Sequence, residues 1–250
     1  MQVQLSLAAF PGLSFGEALR VAHTTTLTEP ALGTIGISHA QLCPQNRGIL
    51  DEAEVDTLRS AFPNCRLRIH ANARVLPNRQ VIDLDRFDAA DPYWQQMARI
   101  SRRLDAPAYT AHAGQKKHAT LDQAFDNTRR ACDLFGVPVG IEGHYPTPRD
   151  LFLLSTWEDY ARLLTERVGF VLDLSHVHIL ATQTGRYERN LLAELLQSPD
   201  LLEVHLSANA GQSDEHAVLA ERPWWWPLLE AARLPQTCTV FTEGNHLRAA

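Results

Sequence analysis

The feature of this sequence that most constrains its fold is a series of short apolar runs, rich in β-branched residues, that recur at a steady interval. We predict eight strands from them, at Val3–Ala9, Gly33–Ser38, Arg66–Ala71, Ala108–Ala113, Pro138–Gly143, Gly169–Leu174, Leu202–Ser207 and Thr239–Glu243. Most of these runs are hydrophobic without alternation, as expected for parallel strands that are covered on both faces. A chain of 250 residues allows each strand about 31 residues, which is the size of one strand-plus-helix unit.

Helical patterns lie between these runs. Ala119–Phe135 places apolar side chains on one stripe, and Thr120 with Gln123 predicts a capping box at its start. A second capping box is predicted at Ser155 and Glu158. Alternating strands and helices indicate a parallel α/β sheet, and eight units predict a single (β/α)₈ TIM barrel over residues 1–250. The alternative, an open doubly wound sheet, is disfavoured because no G-x-G-x-x-G phosphate loop follows a strand.

Composition narrows the choice of partners. The chain has 23 basic and 29 acidic side chains, a formal net charge of -6, and no block of Lys and Arg, so we expect no nucleic-acid partner. No apolar run approaches the ~20 residues needed to cross a bilayer, so we expect no membrane partner. The four cysteines are far apart and form no CxxC motif, and the first ten residues do not resemble a secretory signal. We therefore expect a cytoplasmic protein with reduced thiols.

Six successive predicted strands end in a residue type that binds metals. These residues are His70, His112, Glu142, Asp173, His205 and Glu243, separated by 42, 30, 31, 32 and 38 positions. The carboxyl ends of barrel strands converge on one mouth, so these side chains are predicted to meet there. Unpaired carboxylates at the end of an apolar core cost several kcal/mol each, and no Lys or Arg stands at the equivalent strand ends. Bound cations are the simplest compensation.

Three further residues extend this set. His176 follows Asp173 by three positions, and Asp214 and His216 alternate in the loop after the seventh strand, where both can face one ion. The predicted metal ligands are therefore His70, His112, Glu142, Asp173, His176, His205, Asp214, His216 and Glu243, a number that suits two or three ions. Nitrogen and oxygen ligands accept iron, zinc and manganese alike. Glu142 is also a candidate general base beside the metals.

The other notable side chains are expected to play supporting roles. His39, His118, His144, His178 and His246 fall outside the periodic strand-end positions, and we expect His144 and His246 to contact substrate. Of Trp224, Trp225 and Trp226, two are expected to pack the last helix onto the barrel and one to be exposed. The stretch from Ala71 to Asp91 is predicted to be an extended loop over the barrel mouth.

The order of the nine candidate ligands resembles the trinuclear site of the xylose isomerase-like barrels, in the endonuclease IV arrangement. The resemblance covers His70 to Glu243, about two thirds of the chain. It implies that Glu142 bridges two metals, that His70 and His112 complete one of them, that Asp173, His205 and Glu243 complete the other, and that His176, Asp214 and His216 hold a third.

Local segments look most like one branch of these barrels, the multinuclear non-haem iron-dependent oxidases. The segments are 172–178, 203–208 with 214–216, 226–229 and 241–243. The resemblance implies two to three iron ions and O₂ as co-substrate, with modification of a cysteine in a ribosomally made peptide during natural product biosynthesis. Such enzymes usually receive their peptide from a small partner protein. We take Glu142 and His176 as the candidate catalytic residues; many members of this family have Asn at the position of His176.

The same residues also fit three other functions. A divalent-metal sugar isomerase or epimerase is the first alternative, and that branch usually keeps only the equivalents of Glu142, Asp173, His205 and Glu243 as ligands. A zinc-dependent phosphodiester hydrolase of the endonuclease IV type is the second, and the acidic charge balance disfavours it. A metal-binding barrel without catalytic activity is the third.

Overall fold

The computed structural model of the chain describes residues 2–78, 81–87 and 92–247. Its strands are β1 (Val3–Ser6), β2 (Thr28–Glu29), β3 (Gly33–Thr34), β4 (Gly36–Leu42), β5 (Arg66–Ile69), β6 (Tyr109–His112), β7 (Val139–Glu142), β8 (Phe170–Asp173), β9 (Leu201–Leu206) and β10 (Thr239–Thr242). Its α-helices are α1 (Phe15–Thr24), α2 (Glu52–Ala61), α3 (Pro92–Arg103), α4 (Leu121–Phe135), α5 (Trp157–Glu166), α6 (Leu174–Thr184), α7 (Arg189–Gln197) and α8 (Trp226–Ala231).

Eight of these strands form one sheet in the order β5-β4-β1-β10-β9-β8-β7-β6. Every neighbouring pair in that order runs parallel, and β5 also lies against β6 where the sheet closes on itself. Buried apolar side chains fill the space between the strands and the surrounding helices. The predicted (β/α)₈ barrel is thereby confirmed, and all its strands point their carboxyl ends to the same mouth.

The second barrel strand lies later in the chain than the predicted Gly33–Ser38. Gly33 and Thr34 instead pair antiparallel with β2 in a small hairpin, with Gly33 at a φ of 76°, a left-handed conformation that glycine adopts without strain. The barrel strand itself runs over Gly36–Leu42. This shift places Cys43 at the mouth end of β4. The first strand is also shorter than predicted, because a 3₁₀ turn follows Ser6.

The predicted capping box of α4 is confirmed: Thr120 accepts from the Gln123 amide, and the Gln123 side chain accepts from the Thr120 amide. The predicted box at Ser155 and Glu158 is wrong by one residue. Thr156 is the N-cap of α5 and exchanges these two hydrogen bonds with Asp159, because the helix begins at Trp157. The same helix supplies Tyr160, whose hydroxyl donates to the carbonyl of the residue two positions after β7.

The predicted loop over the mouth lies partly outside the described residues. In its described part, Asn72 donates to the Asp83 carboxylate at 2.7 Å and ties the start of the loop to residue 83. Trp225 and Trp226 are buried, as expected, but Trp224 is half-buried against the core instead of exposed. All four cysteines are free thiols. Among the described residues, none of the helices is both long enough and apolar enough to span a bilayer.

Candidate metal centre

Strand register brings the predicted ligands together. His112 pairs with Glu142 where β6 lies beside β7, and Asp173 pairs with His205 where β8 lies beside β9. Glu243 follows β10 directly, and its amide donates to the carbonyl at the end of β9. Residues spaced about one strand-plus-helix unit apart in the sequence are therefore neighbours in space.

The nine predicted ligands form one connected group, which we call the mouth cluster. Its contacts are His70–Glu142 at 3.7 Å, His112–Glu142 at 4.0 Å, His205–Glu142 at 3.6 Å, His205–Glu243 at 3.8 Å, His216–Glu243 at 3.6 Å, His216–Asp214 at 2.8 Å, His176–Asp214 at 3.5 Å and His176–Asp173 at 3.5 Å. Each of the nine side chains has a nitrogen or oxygen atom within 4.0 Å of another member.

Helix α6 fixes the geometry of one edge of the mouth cluster. Asp173 is its N-cap, and one carboxylate oxygen accepts from the amides of Ser175 and His176. The other oxygen remains free to face the His176 ring, which lies in the first turn of the helix. Ser175 also donates to Asp214 at 3.3 Å, which ties the loop after β9 to this helix.

Several imidazoles are held by one nitrogen and present the other to the cluster. The Nδ1 of His176 lies 2.9 Å from the Gly143 carbonyl, so its Nε2 faces Asp214. The Nδ1 of His112 lies 3.3 Å from Asp83, so its Nε2 faces the Glu142 carboxylate. A backbone carbonyl or a carboxylate accepts only, so each ring donates there and keeps a lone pair for a cation.

The mouth cluster contains buried atoms with no hydrogen-bond partner. They are Glu142 Oε2, His205 Nδ1 and His216 Nδ1. Most buried polar atoms in proteins have a partner, so a group of orphans in one place requires an explanation. Three subsets also bring their ligand atoms within 4.8 Å of one another, namely His70 with His112 and Glu142, His70 with His205 and Glu243, and Glu142 with Asp173 and His176. Histidine and carboxylate donors at such spacing fit divalent metal ions.

Protons balance the charge of this cluster when no cation does. Burial alone would raise the pKa of Glu142, but the imidazoles of His205, His70 and His112 outweigh it and hold that pKa well below its usual range. Burial opposes the charged form of His205 as well, yet Glu142 and Glu243 hold its pKa well above the usual value. The carboxylates therefore share the space with imidazolium protons, which bound cations would displace.

His144 and His246, two histidines outside the mouth cluster, make different contacts. His144, expected to contact substrate, stacks on His112 with ring centroids 4.9 Å apart and on Phe152 at 4.1 Å. Burial lowers its pKa to about 3, so this ring is neutral. His246 instead contacts the buried carboxylate of Glu29, at 3.2 Å.

Sequence reasoning missed several residues that adjoin the mouth cluster. Cys43 lies 3.0 Å from the Ser6 hydroxyl, which donates in turn to Glu243 at 3.4 Å. Asp83 lies on an irregular loop, so no periodicity could indicate its contact with His112. Glu203 does carry a signal: it stands two residues before His205 on one strand, and such residues share a face.

Comparison with known proteins reveals fold similarity at low sequence identity. No family model matches the chain, and no curated protein matches it. Similar solved structures include a D-tagatose 3-epimerase-like protein, with 13% identity, a TM-score of 0.67 and coverage of 98% of this chain and 91% of that chain. A xylose isomerase domain protein from Alicyclobacillus acidocaldarius subsp. acidocaldarius has 18% identity, a TM-score of 0.62 and coverage of 98% and 90%. A family 2 AP endonuclease from Brucella melitensis has 13% identity, a TM-score of 0.61 and coverage of 98% and 93%. The chain thus has the same barrel fold as these proteins.

Proposed function

We propose that this protein is a multinuclear metal-dependent oxidase, which uses non-haem iron and O₂ to modify a cysteine of a ribosomally made peptide. The observation that carries the proposal is the complete set of nine donor side chains, connected in one group at the barrel mouth. Nine donors exceed what one ion can accept and suit two or three ions. The resemblance of the segments around Asp173, His205 and Glu243 to the iron-dependent oxidases supports iron.

The arrangement of donors agrees in part with the assignment of ligands that the resemblance implies. His70, His112 and Glu142 each bring one donor atom within 4.8 Å of the others, which fits the ion that the resemblance assigns to both histidines. The Glu142 oxygens divide the histidines differently, because one faces His70 and the other faces His112 and His205. His176 and His216 both contact Asp214, which fits a separate ion at that edge. Iron bound here would supply electrons to O₂ and a site for a substrate thiolate.

The protein's own residues orient the donors and shield them from water. Glu142 and His205 are 1% and 0% exposed, whereas His112 and His216 are partly accessible from the mouth. Substrate would therefore approach from the side of the mouth loops. Leu151 and Leu247 are exposed on loops that follow β7 and β10, and they offer apolar contacts for a peptide or for the small partner protein that delivers it.

A sugar isomerase or epimerase is the second candidate. It is favoured by the similarity of fold to a D-tagatose 3-epimerase-like protein, and by the presence of the smaller donor set Glu142, Asp173, His205 and Glu243 within the mouth cluster. The first of these observations concerns fold alone. The additional donors His70, His112, His176, Asp214 and His216 have no role in a site of four ligands.

Metal content and O₂ consumption test this proposal. Protein purified without oxygen is expected to contain two to three iron ions per chain, and to consume O₂ when a cysteine-containing peptide and its partner protein are added. His205→Ala is expected to lose both properties, and His118→Ala, a change at an exposed histidine outside the mouth cluster, to keep both. One Mn²⁺ or Mg²⁺ per chain with epimerisation of a ketose would support the second candidate instead. Zinc alone with cleavage of abasic DNA would support a hydrolase.

A further inference from the structure

A charged pair is buried in the barrel interior below the mouth cluster. Arg68 on β5 donates from Nη1 to Glu203 Oε1 on β9 at 2.5 Å, and the two side chains are 2% and 0% exposed. We call these residues the interior pair. Burying two charges removes their hydration, which their mutual attraction must offset, and apolar residues of the same volume often serve stability equally well. The presence of the pair therefore calls for a role other than stability.

The second oxygen of Glu203 reaches the mouth cluster. Glu203 Oε2 lies 2.9 Å from Nε2 of His205 and accepts from Gln41 at 2.7 Å. A carboxylate accepts hydrogen bonds and does not donate them, so Nε2 of His205 donates to Glu203. The Gln41 amide nitrogen lies 3.2 Å from the same Nε2 and 2.7 Å from Glu203 Oε2, so its shorter contact is the one with the carboxylate. The opposite nitrogen, Nδ1, faces Glu142 and Glu243 at 3.6 and 3.8 Å and is one of the buried atoms without a partner.

Arg68 is itself held from several sides. Its Nε donates to His39 Nε2 on β4 at 3.0 Å, and its Nη2 donates to the hydroxyl of Thr239 on β10 at 3.2 Å. The guanidinium is planar and its donors have fixed directions. These contacts therefore define the direction in which Arg68 donates to Glu203. Four strands thereby determine the position of one carboxylate.

We propose that Glu203, oriented by Arg68 and Gln41, is a positioning residue that keeps the His205 ring turned with Nδ1 toward the ions of the mouth. The inference rests on the metal-binding part of the proposed function, and it is independent of which metal binds and of the reaction. Carboxylates that accept from the far nitrogen of a metal-bound imidazole fix its tautomer, and their loss costs about 10–100-fold in metal affinity.

Zinc binding to the Glu203→Gln variant tests the proposal. Gln has the shape of Glu but can offer an amide donor to Nε2, which permits the ring to place its proton on Nδ1 instead. We expect chelator competition to reveal about 10–100-fold weaker binding of one zinc ion, with the remaining ions unchanged. Glu194→Gln, at an exposed position of α7, is the matched control and is expected to bind zinc as the wild type does. Zinc affinity of Glu203→Gln within twofold of the wild type would overturn the inference.

Imidazole ¹⁵N shifts provide a second readout that needs no destabilised variant. In the zinc-loaded wild type, one imidazole is expected to be protonated at Nε2 and zinc-bound at Nδ1, and that pattern is expected to disappear in Glu203→Gln if the variant folds. A zinc-loaded wild type in which every zinc-bound ring is protonated at Nδ1 would overturn the inference and leave the proposed function standing. A wild type that binds no zinc, iron or manganese would overturn both.

Discussion

The interior pair and the mouth cluster are both buried, charged and inside the same barrel, yet they are built in opposite ways. In the interior pair, Arg68 and the carboxylate oxygens of Glu203 have partners from four strands. In the mouth cluster, the like-charged carboxylates crowd together and leave Glu142 Oε2 and His205 Nδ1 without hydrogen bonds. The first arrangement is complete without a ligand, and the second is not.

His205 belongs to both regions and reveals what separates them. Its Nε2 faces Glu203 in the completed network, and its Nδ1 faces Glu142 and Glu243 in the incomplete one. Carboxylates therefore form a fully hydrogen-bonded network on one side of the His205 ring and a candidate metal site on the other. The difference lies in whether a cationic side chain is present to balance the carboxylates, as Arg68 is for the interior pair.

The largest expected effect concerns the stability of the interior pair. Burial would raise the pKa of Glu203, and Arg68 instead holds it at about 2. Arg68→Met removes the buried cation and leaves the carboxylate uncompensated, so we expect the free energy of unfolding to fall by about 3–5 kcal/mol. Urea denaturation measures this loss. Arg66→Met, on the same strand but exposed, is expected to change stability by less than about 0.5 kcal/mol. An equal loss of unfolding free energy in the two variants would mean that the buried Arg68 contributes no more to stability than an exposed arginine, and the contrast with the mouth cluster would fail.

The next effect concerns metal binding by the mouth cluster. Glu142→Gln keeps the shape of the central side chain but removes the charge that faces His70, His112 and His205, so zinc affinity is expected to fall by at least about 100-fold. At high pH, the metal-free variant is expected to be no less stable than the metal-free wild type, because the substitution removes one negative charge from a crowded group of carboxylates. Metal analysis after dialysis and thermal denaturation of the metal-free protein measure the two quantities. Full metal content in this variant would remove Glu142 from the set of ligands.

The pH dependence follows from histidines at the rim of the mouth cluster. Burial alone would lower the pKa of His112, but Glu142 and Asp83 raise it to about 9. Burial alone would also lower the pKa of His216, but Asp214 and Glu243 raise it to about 9. An ion must displace these protons, so zinc affinity is expected to rise by up to about tenfold per pH unit for each ring below pH 9. Affinity independent of pH between 6.5 and 9 would contradict this assignment.

The same shifts determine the stability of the metal-free protein. Both rings bind protons more tightly in the folded chain than in the unfolded chain, where the pKa is near 6.5. Their contribution is complete below pH 6.5 and is lost as the pH rises to about 9. Denaturation of the metal-free protein across this range is expected to show declining stability, and rising stability would reverse the sign of the argument.

The smallest effect concerns the support of His112 by the mouth loop. Asp83 accepts from His112 at 3.3 Å, and its side chain is 13% exposed. Glu203 is fully buried, and it lies 2.9 Å from His205. Asp83→Asn is therefore expected to weaken zinc binding by about tenfold at most, less than Glu203→Gln does. Competition titrations with a chelator on both variants compare a carboxylate that positions a histidine from a loop with one that does so from a strand. A larger loss of zinc affinity in Asp83→Asn than in Glu203→Gln would contradict this prediction.

Strand-end residues such as His112, Glu142 and Asp173 could be predicted from the sequence because parallel strands repeat one geometry. Each strand ends at the same mouth, so a periodic series of metal-type residues indicates convergence without knowledge of the packing. The second strand was misplaced because the sequence near Gly33 forms a local hairpin that competes with the sheet. Capping at Thr156 was missed by one residue, since neighbouring hydroxyl side chains offer equivalent caps and helix packing selects between them.

The sequence alone determined the eight-unit barrel and the residues that meet at its mouth, because both follow from periodic spacing along the chain. Only the tertiary structure decided which nitrogen of each imidazole faces the cluster, that Asp83 from an irregular loop supports His112, and that Arg68 and Glu203, 135 positions apart, pair inside the barrel. Those features depend on side-chain directions and on contacts between distant strands, which follow no period in the sequence.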